Sequence, residues 1–233
     1  RDFMPIQISK DVFIQYDYAP DYLKKRSRIK YKTNPDEVIE RLGIKTTKTK
    51  IILDGGNVVK SENAIILTDK IFKENEKQFS STALVKELHS LFEVEKVVVI
   101  PWDDVCEFGH SDGMLRFIGN DNVLISGFYE NADLQFKKQL LKPLEKAKIN
   151  YDWLRVADKE AEKNLYYVNF LQTKEFVLIP GVNKNTDSIA VNEIAKFYSN
   201  YVSSDRIRIL DMKETMKWGG ALNCISWNIK TIN

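Results

Sequence analysis

The sequence predicts an α+β fold built from a small repeated unit, and three observations carry that prediction. Short β-rich runs alternate with helical patterns along the chain. Their order of hairpin, helix and strand recurs at roughly 50 to 60 residues, within the range of internal repeats. The repetition lies in element order, because no residue motif recurs. No Gly-, Ser- or Pro-rich linker divides the 233 residues, so 1–233 reads as one domain.

The elements follow in order. Val12 to Tyr16 is a run of apolar, β-branched and aromatic residues and reads as a strand. Asn34-Pro35-Asp36-Glu37 is a helix start, a capping side chain followed by Pro at the first helical position, for a helix from Val38 to Leu42. Lys50 to Leu53, Ala64 to Thr68 and Lys96 to Pro101 read as further strands. Between the last two, Thr82 to Phe92 places Leu84, Val85, Leu88 and Leu91 on one helical face, with Thr82 as the expected cap. Met114 to Phe128 reads as a hairpin turning at Gly119-Asn120-Asp121-Asn122. Asn131 to Ile149 is a helix with Leu134, Leu140, Leu141 and Leu144 on one face, which Pro143 should end or kink. A second hairpin is expected from Tyr167–Leu171 through Gln172-Thr173-Lys174-Glu175 to Phe176–Ile179. A helix from Ser188 to Tyr201, carrying Ile189, Val191, Ile194, Ala195 and Tyr198, precedes a strand at Arg206 to Leu210 and a last strand from Cys224 towards Ile229.

Composition removes several classes of function. Thirty-five Lys and Arg against 33 Asp and Glu leave a net charge of +2, too balanced for a polybasic nucleic-acid tail or an acidic solvating segment. No apolar run approaches the ~20 residues of a membrane helix. Two cysteines and two histidines leave little scope for a disulfide scaffold or a zinc finger, and no metal or other cofactor is expected. Lys24-Lys25-Arg26-Ser27-Arg28 is the one basic run and reads as a solvated loop. The chain begins Arg-Asp-Phe-Met-Pro without an initiator Met or an apolar signal segment, so the expectation is an internal start in a longer product and, by default, a cytoplasmic one.

The chemistry has few places to reside. Cys224 follows Trp218-Gly219-Gly220-Ala221-Leu222-Asn223, and a glycine pair there allows backbone to approach a ligand closely. Cys106 lies among Asp103, Asp104 and Glu107, whose charge disfavours a thiolate. Read alone, Cys224 is better explained as a buried, inert residue. His89 falls within a helical pattern and reads as a boundary residue. His110 sits in Phe108-Gly109-His110-Ser111-Asp112-Gly113, where an extended segment would point His110 and Asp112 to one face, a proton shuttle beside a carboxylate; a turn with a self-bonded Asp explains the motif equally well. Leu53-Asp54-Gly55-Gly56-Asn57 reads alone as a hairpin turn. Arg1-Asp2-Phe3-Met4-Pro5 is a fourth polar group ahead of a strand. Four such motifs together make coincidence the poorer account.

Asp54-Gly55-Gly56-Asn57, His110-Ser111-Asp112-Gly113 with Arg116-Phe117, and Gly219-Gly220-Ala221-Leu222-Asn223-Cys224-Ile225 occur in the order found in agmatine deiminases and bacterial peptidylarginine deiminases, and the chain resembles that guanidino-group-modifying, or pentein, superfamily over nearly its whole length. Arg1-Asp2-Phe3-Met4-Pro5 is similar to the tail of the family's Trp-x-Arg-Asp-x-x-Pro motif. The resemblance implies a pseudo-fivefold propeller of ββαβ units around a central channel, with the N-terminal part truncated. It implies that Cys224 is the nucleophile on the guanidinium carbon and that His110 passes protons to departing ammonia and from water. Asp2 and Asp112 would clamp the guanidinium nitrogens, and Asp54 would hold His110 or share the clamp. Asn169 matches a position near the site. Trp218, like Trp102, flanks the site motifs, where it would pack on the substrate's alkyl chain or belong to the core or rim. A bound cation and a protonated His110 would both favour the thiolate.

The implied reaction is deimination of agmatine, a step of putrescine formation, with a small guanidino compound or an arginine side chain as the partner and neither nucleic acid nor membrane; a homodimer is left open. Peptidyl-arginine is the alternative substrate, free arginine and amidino transfer lie further off, and a non-catalytic guanidino-binding protein of the same fold is the alternative of a different class. Asn223 departs from the family, in which many agmatine deiminases carry His before the Cys, and the chain is shorter than typical members; both bear on substrate more than on chemistry.

Overall fold

A computed structural model describes residues 1–24, 26–104, 106–156, 167–182 and 184–231. The polypeptide divides into two compact units, Arg1–Ser111 with Ile229–Asn233, and Asp112–Asn228.

In the first unit β1 (Ile6–Ser9) and β2 (Val12–Asp17) form an antiparallel hairpin with Ile6 opposite Ile14. The chain crosses over through α1 (Pro35–Arg41) and returns as β3 (Thr47–Ile52), parallel to β2. Asn34 caps α1 by accepting from the Asp36 N–H, as its sequence signal requires. The pattern repeats: β4 (Val59–Lys60) and β5 (Ala64–Thr68) are antiparallel, α2 (Lys70–Asn75) and α3 (Ser81–Phe92) cross over, and β6 (Lys96–Ile100) pairs parallel to β5. Every residue of β5 is buried, the mark of a central strand covered on both faces. Ser80 caps α3 in place of Thr82, accepting from the Ala83 N–H, and Leu84, Leu88 and Phe92 form its buried stripe. These side chains join Ile51, Leu53, Ile65, Leu67 and Ile71 in one apolar core. Of the basic run, Lys25 lies outside the described residues, Lys24 and Arg26 are exposed, and Arg28 pairs with Glu107 at 2.5 Å.

The second unit repeats the same order twice. β7 (Leu115–Phe117) and β8 (Asn122–Ser126) are antiparallel, α4 (Leu134–Lys146) crosses over, and β9 (Asn150–Leu154) is parallel to β8. β10 (Leu171–Gln172) and β11 (Val177–Gly181) are antiparallel, α5 (Lys184–Ala195) and α6 (Ser199–Val202) cross over, and β12 (Ile207–Asp211) is parallel to β11. The last helix is α7 (Lys213–Met216). The described residues thus hold four three-stranded ββαβ sheets, the repeated unit that the element order predicted.

Several elements differ from expectation. Pro143 does not end α4, which runs on to Lys146 with Asp133 as its cap. The carbonyl that Pro143 leaves without an N–H partner belongs to Gln139, an exposed residue. Leu134 is 65% exposed and does not join the buried stripe of Leu140 and Leu144. The helix expected from Ser188 to Tyr201 begins at Lys184 and breaks after Ala195. Tyr167–Phe170 is not strand: all four residues are buried, without the alternation that a half-covered strand shows, and they form a turn. Cys224–Ile229 is not strand either. Its start is a turn in which Ile225 N–H donates to the Ala221 carbonyl and Ser226 N–H to the Asn223 carbonyl, which spends the donors a ladder would need.

Candidate active site

In the first unit the site motifs are tied to the end of β5. Asn57 accepts the Thr68 N–H at 2.8 Å, Thr68 Oγ1 donates to the Gly109 carbonyl at 2.7 Å, and Ser111 Oγ donates to the Ile66 carbonyl at 3.2 Å. Those bonds pin Gly109–Ser111 beside the Asp54–Asn57 segment. Asp54-Gly55-Gly56-Asn57 is a buried 3₁₀ turn and not a hairpin. His110 is 8% exposed, with Nε2 3.2 Å from Asp54 Oδ2, so the two groups the resemblance pairs do adjoin. Glycine at 56 is dictated by that pairing, because a Cβ there would lie 2.3 Å from His110 Nδ1. Gly109 holds φ +64°, and a Cβ on it would press on the Trp102 indole.

Gly55 is as confined, since a Cβ would come within 2.8 Å of the Arg1 carbonyl. The Gly55 N–H donates to the Asp2 carbonyl at 2.8 Å, and Tyr16 OH reaches the same carbonyl, so Asp2 is held next to the glycine turn. Asp2 Oδ1 is buried and has no hydrogen-bond partner among the described residues; the same is true of Asp54 Oδ1.

In the second unit a different constellation forms. Asn169, 2% exposed, is its hub. Its Nδ2 donates to the Asp112 carbonyl at 3.1 Å, its Oδ1 accepts the Cys224 N–H at 3.2 Å, and its own carbonyl accepts the Asn223 N–H at 3.1 Å. Cys224 Sγ lies 3.2 Å from Asn169 Oδ1 and 4.0 Å from Asp112 Oδ2. Asn223 Nδ2 donates to Asp112 Oδ2 at 2.7 Å. Arg116 stacks on the Phe170 ring with its guanidinium carbon 3.5 Å from the centroid and donates to the Phe170 carbonyl, which fixes the residue next to the hub. Ser111–Gly113 is a 3₁₀ turn, so the extended-segment argument for His110 and Asp112 does not hold locally.

Of the expected residues, Asp54 pairs with His110 and Asp2 adjoins Gly55 in the first unit, while Asp112, Asn169 and Cys224 converge in the second. Trp218 is 86% exposed, which removes core packing as its role. His89 is half-buried with Nδ1 3.0 Å from the Val94 carbonyl, a helix-end contact, and half-buried Cys106 accepts the Trp102 indole N–H through its carbonyl at 3.0 Å. Sequence reading missed Lys70. Its side chain is fully buried, and its ammonium lies 3.0 Å from Asp21, 3.4 Å from Glu74 and 3.5 Å from Asp54. No local signal marks it: Lys70 follows the polar cap residue Asp69 at the start of α2, where a lysine ordinarily reaches solvent. Burial pushes Glu74 up to about 7, with the charges of Asp54 and Asp21 adding to it. Burial likewise raises Tyr22 far above its ordinary value. No group of three or more His, Cys, Asp or Glu among the described residues could hold a metal ion, and no helix among them is long and apolar enough to cross a membrane.

Comparison with known proteins matches the same picture. The model of the Porphyromonas-type peptidyl-arginine deiminase family matches residues 1–229. A Vibrio parahaemolyticus protein named "Putative agmatine deiminase" is 21% identical over 227 residues, 82% of this chain and 62% of the relative, so the chain spans less than two thirds of that protein's length. Among solved structures, the C. jejuni agmatine deiminase superposes with a TM-score of 0.76 at 17% identity, over 100% of this chain and 73% of that one. The Enterococcus faecalis agmatine deiminase gives 0.71 at 17% identity, over 97% and 72%. With motifs, repeated unit and family model in agreement, the chain belongs to the Porphyromonas-type peptidyl-arginine deiminase family and has the pentein fold of the guanidino-modifying enzymes.

Proposed function

We propose that this chain hydrolyses a guanidino compound, with agmatine its preferred substrate, through a covalent intermediate on Cys224. The observation that carries the reading is the seating of Cys224: backbone N–H and thiol both face Asn169 Oδ1 at 3.2 Å, and a carboxylate, Asp112, lies 4.0 Å from the sulfur. A carboxylate beside a thiol disfavours the thiolate, and an arriving guanidinium cancels that effect while being held by paired charge-assisted hydrogen bonds. The nucleophile is therefore released by the substrate it attacks.

In this reading the thiolate adds to the central guanidinium carbon. The carbon–nitrogen bond breaks as His110 gives a proton to the departing ammonia, leaving an amidino group on sulfur. Water adds to that carbon as His110 takes its proton, and the carbon–sulfur bond breaks to give the ureido product and the Cys224 thiol. Asp54 keeps His110 in orientation, and Asp2 and Asp112 bind guanidinium nitrogens. Exposed Trp218 covers the alkyl chain. Peptidyl-arginine is the second reading, favoured by the description of the matching family.

The test is ureido product formation from agmatine and from a blocked arginine peptide in parallel, with Cys224→Ala as control. Product from agmatine, abolished by the substitution, is expected. Turnover of the peptide alone transfers the function to the second reading. No product from either, in folded protein, overturns both and leaves a guanidino-binding protein of the same fold.

A further inference from the structure

The Lys70 ammonium is enclosed on every side. It donates to the Phe108 carbonyl at 2.8 Å, and the Tyr22 and Trp102 rings stand 5.1 and 5.8 Å from it. Its ion-pair partners are Asp21, Glu74 and Asp54, and the Asp54 atom it meets at 3.5 Å is Oδ2, the same oxygen that faces His110 Nε2 at 3.2 Å. One carboxylate oxygen thus serves a permanent cation and an imidazole at once. A buried ammonium is costly to keep, and an apolar side chain would fill the same space.

We infer that Lys70 is a positioning residue that sets the proton affinity of His110 by occupying the Asp54 oxygen an imidazolium would otherwise have to itself. The inference rests on the proton-transfer role proposed for His110. With Lys70 present, the carboxylate is divided between two cations, and the imidazolium gains less than it would from Asp54 alone. His110 then releases its proton more readily, as an acid that must also act as base requires. Burial pulls the Lys70 ammonium down, but Glu74, Asp54 and Asp21 outweigh burial and leave it above the usual lysine value, so it stays charged. In this unit Asp54 from the glycine turn and Tyr22 from the segment after β2 face His110; behind them stand Lys70 and Glu74 from α2 and Asp21, which meet one another at the Lys70 ammonium, and Asp2 and Tyr18, which act on Tyr22.

The chain has two histidines, so ring-resonance titration by NMR of the full chain reads His110 with His89 as internal control. Lys70→Met is expected to raise the His110 midpoint by about one pH unit, a tenfold gain in proton affinity. Glu74→Gln, which removes a negative charge and keeps Lys70, is expected to lower it by less. His89 stays put in both. In active enzyme, the alkaline limb of the kcat/KM profile, where the proton donor of the first half-reaction is lost, moves up with His110 in Lys70→Met. A folded Lys70→Met with His110 unmoved or lowered overturns the inference. Should Lys70→Met not fold, Glu74→Gln decides: a downward shift upholds it, and no shift or an upward one overturns it. The titration needs no turnover, so opposed shifts in a protein that makes no product would uphold the electrostatic coupling and reject only the deiminase reading.

Discussion

Asn169 Oδ1 lies 3.2 Å from both the backbone nitrogen and the sulfur of Cys224. One side-chain atom therefore fixes the Cys224 peptide and also receives its thiol. Asn169→Ala removes both contacts together with the bond to the Asp112 carbonyl. Misplacing a reacting atom by an ångström costs about a hundredfold in rate, and a stranded buried donor costs about 1–3 kcal/mol. The expected result is a fall in kcat of about that size, with a lowered urea midpoint, measured by ureido product formation and equilibrium unfolding.

Gly56→Ala tests the packing of His110. The added Cβ would lie 2.3 Å from Nδ1 and 2.9 Å from two ring carbons, so the imidazole has to leave its place against Asp54. Overpacking of this kind costs about 1–3 kcal/mol. Activity falls more than stability does, because the displaced ring loses its orienting carboxylate. A variant with wild-type kcat would show that this ring position is not used.

Glu74 predicts a pH dependence with a definite sign. Burial first, and the charges of Asp54 and Asp21 next, raise its folded value to about 7 from the ordinary 4.5. The folded state therefore binds the proton more tightly than the unfolded one. The stabilisation from Glu74 is complete below about pH 4.5 and is lost as pH rises to about 7, with an upper bound of about 3 kcal/mol. Urea midpoints between pH 4.5 and 8 should decline less steeply in Glu74→Gln than in the parent; equal slopes would place Glu74 outside this linkage.

What was legible in the sequence follows from how local each cause is. Ala64–Thr68 matches its strand to the residue because a run of apolar residues needs no partner to be read as buried. Asn34 and Pro35 carry their own cap within three positions. Gly55, Gly56 and Gly220 advertised close approach, and the first two are confined by neighbours that a side chain would strike. Tyr167–Phe170 misled because an apolar, aromatic run looks like a strand, whereas its Asn169 is committed to a cysteine 55 positions away. Lys70 was hidden for the same reason: its acceptor at Phe108 is 38 positions distant, and nothing local marks a lysine as buried.

The third strand of every sheet runs parallel to its neighbour, and this governs how the chain can be made. A hairpin can pair as soon as its second strand leaves the ribosome, but a parallel strand must wait for the whole crossover to be synthesised. β2 ends at Asp17 and β3 begins at Thr47, so at about 5–20 residues per second the open edge of β2 stands unpaired for seconds, long enough for an unguarded edge to recruit another chain. The same interval recurs for β5, β8 and β11. Vulnerability during synthesis is thus written into the topology four times over, and slowed translation would lengthen each window.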